Sequence, residues 1–225
     1  MSTLILRTVV GFLALVLMLG LALFLSAGTL RYWQAWVYLG VFSVCVILIT
    51  AYLIKYDRPL LERRVRAGPT AETDKRQKII QSLASLFFLA LFIVSGLDFR
   101  FGWSKVPPSL SLAADGVVAL SFLIVFVVFR ENSYTSATIE IAEKQEVITS
   151  GPYRLVRHPM YAGGTLLLLV TPLALGSWVG LLFALPVILV IVVRLLEEEK
   201  FLAASLKGYE EYRQKVRYRL IPFVW

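Results

Sequence analysis

Apolar residues run almost without interruption over 8–25, 36–54, 79–97 and 116–129, and again over 161–196, where Gly176, Ser177 and Trp178 break the run. At roughly 20 residues per crossing of a ~30 Å hydrocarbon layer, these runs predict four helices followed by a helical hairpin. Backbone polar groups in lipid must be satisfied within their own segment, which leaves helices as the sensible reading. The expected fold class is therefore all-α, a polytopic membrane bundle of about five to six transmembrane helices that includes a C-terminal hairpin. Arg7 before the first run and Ser26, Ala27 and Gly28 after it resemble a cleavable signal. That run is long, its basic flank is thin and further spans follow, so the first helix is expected to be retained.

The polar stretches between the runs differ in kind. Residues 55–69 are charged but still carry Leu60, Leu61 and Val65, a pattern that predicts an interfacial helix. Residues 98–111 hold Trp103, Pro107 and Pro108 and predict a short, stiff turn with an aromatic anchor. Residues 1–129 form N-terminal transmembrane helices with few polar interruptions, whereas 130–225 are dense in polar residues beside apolar helices. Chemistry is expected in the second part.

Composition sharpens this picture. Of 225 residues, 58% are hydrophobic, and the formal net charge is +8. In a soluble protein that charge would raise nucleic acid as a partner, but here its placement argues otherwise. Of 23 Lys and Arg, eight lie in 55–78, four in 130–161 and seven in 194–225, all on one side if helices alternate, while the opposite loops hold Arg31, Arg100 and Lys105. The positive-inside rule puts both termini and the basic loops in the cytoplasm, and the basicity fits anionic lipid rather than nucleic acid. The single cysteine, Cys45, permits no intrachain disulfide, and the single histidine, His158, cannot by itself make a His-rich zinc site, so no metal is expected.

Three segments carry candidate chemistry. Residues 149–164 lead into the fifth apolar run: Gly151 and Pro152 mark a turn, and Pro159 suits a first helical position. A helix starting there would aim free N–H groups at the cytoplasmic face beside Arg157 and His158, an arrangement suited to a carboxylate or phosphate. Interface anchoring by Arg157, His158 and Tyr161 is the plainer account, and Gly163 and Gly164 equally serve close helix approach. The second segment holds Arg194 and Glu198, four apart and so on one helix face. They could simply pair, but Arg194 follows the apolar run 187–193, and an ionisable group at the edge of lipid calls for a cavity or a partner. The third is the tail, where Tyr209, Tyr212 and Val216 recur at spacings of three and four, the pattern of an amphipathic surface helix that can also act as a lid.

The string Gly151-Pro-Tyr-Arg-Leu-Val-Arg-His-Pro-Met-Tyr-Ala-Gly, the downstream cluster 194–202 and a terminal Arg-Leu-Ile-Pro resemble the isoprenylcysteine carboxyl methyltransferase family. Phospholipid methyltransferases and related bacterial membrane enzymes share the pattern, and the similarity spans roughly residues 132–222. The resemblance implies S-adenosyl-L-methionine bound at the cytoplasmic end of the hairpin rather than in a Rossmann fold, in keeping with the lack of a Gly-x-Gly-x-x-Gly after a predicted strand. By motif position, Gln145, Glu146, Val147, Ile148, Tyr153, His158, Pro159, Met160, Tyr161, Gly163 and Glu198 are the implied cofactor-binding residues. Arg194 is implied as substrate-binding, and Arg194 and Arg157 stand as the catalytic candidates. One departure is Gln145, where family members often carry histidine. Residues 130–225 are then the cofactor-binding catalytic region with its membrane hairpin and cytoplasmic tail.

Methyl transfer from a sulfonium is an in-line displacement that needs alignment and a dry site, not a metal. A carboxylate acceptor is already ionised at neutral pH, and Arg194 can orient it by two parallel hydrogen bonds while a lipophilic chain enters from the bilayer. An amine acceptor needs a base that the sequence does not name, which favours a carboxylate of an isoprenylcysteine-like acceptor over an amine headgroup. The expected partners are such a lipophilic or lipid-modified substrate and membrane lipids. A non-catalytic lipid carrier should place polar residues near the bilayer midplane, whereas here they crowd one end.

Overall fold

The computed structural model describes residues 2–72, 74–139 and 145–225, and the described residues hold eight α-helices and no strand. Four helices are long and apolar enough to cross a membrane: α1 (Ser2–Ala27), α2 (Trp33–Tyr56), α4 (Lys75–Phe101) and α5 (Pro108–Glu131). Between the second and third of these lies α3 (Arg58–Val65), started by the Asp57 side chain accepting from Leu60 N at 3.0 Å. Leu60 and Leu61 are buried with Leu53 and Phe129, so the predicted interfacial helix is tied to α2 and α5 by its apolar residues.

The C-terminal hairpin is α6 (Pro159–Ala174) and α7 (Leu181–Ser205), followed by the short α8 (Tyr209–Lys215). With 16 residues, α6 is about 24 Å long, short of a full ~30 Å crossing. The bundle thus has four long spans and a shorter apolar helix, the lower end of the expected count. The long helices also start earlier than their apolar runs. Asp74 caps α4 by accepting from the Arg76 and Gln77 amides, and Pro108 opens α5 at a position where its missing N–H is harmless.

Helix α4 packs between α1 and α7, and α5 between α2 and α6. The main core joins Leu19, Leu23, Tyr38, Phe42, Phe92 and Val118 at the end of the bundle away from the basic loops. There the Asp98 carboxylate is 1% exposed and accepts from Ser104 N at 2.7 Å, Ser104 Oγ at 2.5 Å and Ser177 Oγ at 2.5 Å. One carboxylate thereby fastens the α4–α5 connection to the hairpin turn, and the Tyr32 hydroxyl adds a bond to the Leu175 carbonyl.

Helices α1 and α4 approach so closely at Gly96 that a Cβ there would lie 1.9 Å from Ser26 Oγ and 2.6 Å from the Leu23 carbonyl oxygen. Ser26 can rotate away; a backbone oxygen can only move with its helix. Gly96→Ala is expected to destabilise the protein by about 1–3 kcal/mol, read as a lower thermal unfolding midpoint in detergent. Gly40→Ala, with nothing within 4 Å of its new methyl, is the control. Equal midpoints would mean the helices separate at no cost.

Candidate active site

At the basic end of the bundle a cavity of about 410 Å³ opens between α3, the stretch after α5, the start of α6, the end of α7 and α8. That volume falls within the roughly 300–1,000 Å³ of small-molecule sites.

Its floor is set by the turn ahead of α6. Gly151 holds φ 54°, and a Cβ there would press to 2.8 Å on the Glu131 carboxylate. A single 3-10 turn, Gly151–Arg154, then buries Tyr153, whose hydroxyl accepts from Asn132 Nδ2 at 2.8 Å and whose carbonyl accepts from the Tyr212 hydroxyl at 2.8 Å. Burial pushes the Tyr153 phenol up to about 12. The next residues pair with the tail, Arg157 N to the Tyr218 carbonyl at 2.9 Å and His158 N to the Arg219 carbonyl at 3.0 Å.

Adjacent glutamates on α7 serve separate networks, because successive helical residues point about 100° apart. Glu199, 3% exposed, accepts from Arg157 Nε at 2.6 Å and Arg219 Nε at 2.7 Å. Arg157 also donates to the Val216 and Arg217 carbonyls, at 2.7 and 2.8 Å. Glu198 faces the cavity and accepts from the Tyr161 hydroxyl at 2.5 Å.

Arg194 and Glu198, one turn apart, form no ion pair. Arg194 reaches instead to the α3–α4 connection: its Nη2 lies 2.8 Å from Glu72 Oε1 and 2.8 Å from the Ala137 carbonyl, and its Nη1 lies 3.1 Å from Gln77 Oε1. Glu72 is buried and also accepts from Gln81 Nε2 at 3.1 Å.

Two buried polar atoms at the cavity wall, His158 Nε2 and the Tyr209 hydroxyl, have no hydrogen-bond partner among the described residues. An unpartnered buried polar group is costly unless something else meets it. Burial pushes the His158 imidazole down to about 4, with Arg157 and Arg219 adding to the effect and Glu199 opposing it. Burial likewise raises the Tyr209 phenol, which keeps its proton and can donate.

The sign of the histidine shift fixes a pH dependence. An unfolded imidazole titrates near about 6.5, so folding favours the neutral ring, and stability present above that pH is lost as pH falls toward about 4. The unfolding midpoint in detergent is expected to drop across that window, and His158→Gln to flatten the drop. An equally steep decline in the variant would assign it to other groups.

Of the residues singled out from sequence, Gln145, Glu146, Val147, Ile148, Tyr153, Arg157, His158, Pro159, Met160, Tyr161, Arg194 and Glu198 all line this one cavity. Gly163 does not. It faces α5, where a Cβ would meet Ile124 Cγ2 at 3.1 Å and Val125 Cγ2 at 3.2 Å, while Gly164 takes the cavity side. The Arg157 guanidinium is committed to Glu199 and to backbone carbonyls. Sequence reasoning missed Arg64, Gln81, Asn132, Tyr209 and Tyr212 as wall residues. It took the tail tyrosines first for a membrane-surface face and only secondarily for a lid; both are buried with Tyr153, Leu206 and Val128, against Val147 and Ile148. The pair at 209 and 212 was legible as an apolar face; what it faces was not.

Comparison with known proteins bears on the same region. Residues 110–208 match the family model for phospholipid methyltransferases, a stretch that contains the turn, the hairpin and the Glu198–Glu199 pair. No curated protein matches the chain.

Proposed function

We propose, on the premise that residues 110–208 carry the phospholipid methyltransferase family pattern, that this membrane protein transfers a methyl group from S-adenosyl-L-methionine to a lipophilic acceptor. The observation that carries the reading is the wall of the cavity. A partly buried carboxylate, Glu198, stands with His158 Nε2 and the Tyr209 hydroxyl, two polar atoms without a partner among the described residues, beside apolar side chains such as Val147, Met160 and Leu206. That donor and acceptor set fits an adenosyl amino acid, which presents an ammonium to a carboxylate and a heterocycle to apolar walls with a few polar contacts.

The cofactor supplies an electrophilic methyl on a sulfonium. The chain's own residues supply the rest. Glu198 takes the ammonium, His158 and Tyr209 offer one acceptor and one donor to the adenosyl part, and Tyr153 with Tyr212 closes the site against water. Arg157, whose Nε and Nη1 are held by Glu199 and the tail, acts here as a positioning residue that holds the tail over the cavity. Arg194 orients a carboxylate acceptor of isoprenylcysteine type once the nucleophile is in line. The site faces the cytoplasm, in keeping with the basic loops around it. With Cys45 replaced, single cysteines at Ala71 and Ser109 should label from opposite sides of the membrane; labelling from one side would overturn this orientation.

The family description favours a second reading, methylation of an amine headgroup lipid. Incubation of the purified protein with radiolabelled cofactor and total lipid extract separates the two. A base-labile product is a methyl ester and supports the carboxylate acceptor, a base-stable lipid product supports the amine, and no transfer to any lipid overturns the proposal.

A further inference from the structure

The charges around the cavity do not all cancel in pairs. Arg194 is matched by the buried Glu72, and Arg157 by the buried Glu199. Arg64, on α3, is the third arginine of the wall, and no carboxylate of the described residues lies within 4 Å of it. Its half-buried guanidinium donates Nη1 to the Ser136 carbonyl at 2.9 Å and lies 5.3 Å from the Phe129 ring. Neither partner carries charge. Of the two carboxylates among the described wall residues, Glu146 is exposed to solvent, and the partly buried Glu198 has only the neutral Tyr161 hydroxyl as its hydrogen-bond partner.

Arg64 and Glu198 therefore face the same cavity, within electrostatic reach of each other yet without an ion-pair partner among the described residues. Leaving a partly buried charge unmatched is costly. The arrangement makes sense if a ligand brings the opposite charges in reverse order. We infer that Arg64 is a ligand-binding residue that receives the anionic oxygens of a zwitterionic ligand end whose ammonium goes to Glu198. Its planar fork suits carboxylate and phosphate alike.

This inference rests on the methyltransferase reading, and two ligands of that reaction carry such an end. One is the amino-acid moiety of the cofactor, with a carboxylate beside the ammonium; the other is an ethanolamine phospholipid headgroup, with a phosphate beside its amine, in which case Glu198 receives that amine in place of the cofactor's ammonium. The placement of Arg64 on an interfacial helix outside the matched family region means that α3 completes a site whose other half lies near the C-terminus.

Titration calorimetry of the full chain in detergent tests this, using S-adenosylhomocysteine and its decarboxylated analogue against wild type, Arg64→Gln and Arg64→Met. The methionine variant removes the charge while keeping most of the volume, so at least one neutral variant should fold. If Arg64 holds the cofactor's carboxylate, both variants lose at least tenfold in affinity for S-adenosylhomocysteine and bind the decarboxylated analogue as wild type does. If it holds a phospholipid phosphate, S-adenosylhomocysteine binding is unchanged and KM for phosphatidylethanolamine vesicles rises at least tenfold with kcat preserved. Unchanged values in both arms overturn the inference. A wild type that binds neither adenosyl compound overturns the methyltransferase reading itself, and this inference with it.

Discussion

Replacing Glu199 by alanine is expected to destabilise the protein by about 3–5 kcal/mol, the usual consequence of leaving a buried charge without its partner. The glutamate is 3% exposed and bonds two arginines at once, Arg157 at 2.6 Å and Arg219 at 2.7 Å. Arg157 is 6% exposed. Loss of the carboxylate would strand that cation and release Arg219, and with it the backbone pairing of residues 157 and 158 to the tail. Because α8 and the tail close the cavity, ligand affinity should fall together with the unfolding midpoint. Glu199→Gln, which keeps one acceptor, should lie between alanine and wild type. A midpoint within the equivalent of about 1 kcal/mol of wild type would mean that the Val216 and Arg217 carbonyls suffice for Arg157.

Glu198→Gln should behave differently. On the proposed role of Glu198 as the acceptor for the cofactor's ammonium, loss of that charge-assisted hydrogen bond should weaken binding by about 1.5–3 kcal/mol, roughly ten- to hundredfold. Stability should change little, because the amide oxygen still accepts from Tyr161, in a weaker hydrogen bond, while a partly buried charge without an ion-pair partner is removed. Arg194→Ala separates a third function. Turnover should collapse while cofactor affinity stays nearly intact, and the midpoint should drop because Glu72 is left buried and alone. Adding Glu72→Gln to that variant should restore much of the midpoint and none of the turnover. Matched losses of cofactor affinity in the Glu198 and Arg194 variants would defeat this division of labour.

These expectations mark where local pattern stops being informative. Spacing alone put Arg194 and Glu198 on one helix face and left open whether they pair. They do not, because the α3–α4 connection brings Glu72 and the first turn of α4 brings Gln77 to Arg194. Nothing within either segment points to the other, since the contact spans more than a hundred residues and its energy exists only after α4 has packed on α7. The tail shows the same limit. Its tyrosine spacing described an apolar face, and the partner of that face proved to be the cavity wall rather than lipid.

The sequence by itself determined what lipid demands. Long apolar runs can satisfy their backbones only as helices, so the spans, the hairpin turn at 176–178 and the interfacial α3 were legible without any tertiary information. It also determined the part of the cavity wall that leads into α6, because the turn at 151–154 and the start of α6 are local structures written in adjacent glycine, proline and aromatic residues. Only the tertiary structure decided which charges meet. Glu198 and Glu199 are neighbours in the chain and were read as one motif, yet one faces the cavity and the other closes an ion-pair network with Arg157 and Arg219. Arg64 joined the site from a segment that looked like a connector. The physical reason is that hydrophobic burial follows local periodicity, whereas ion pairing depends on which helices become neighbours.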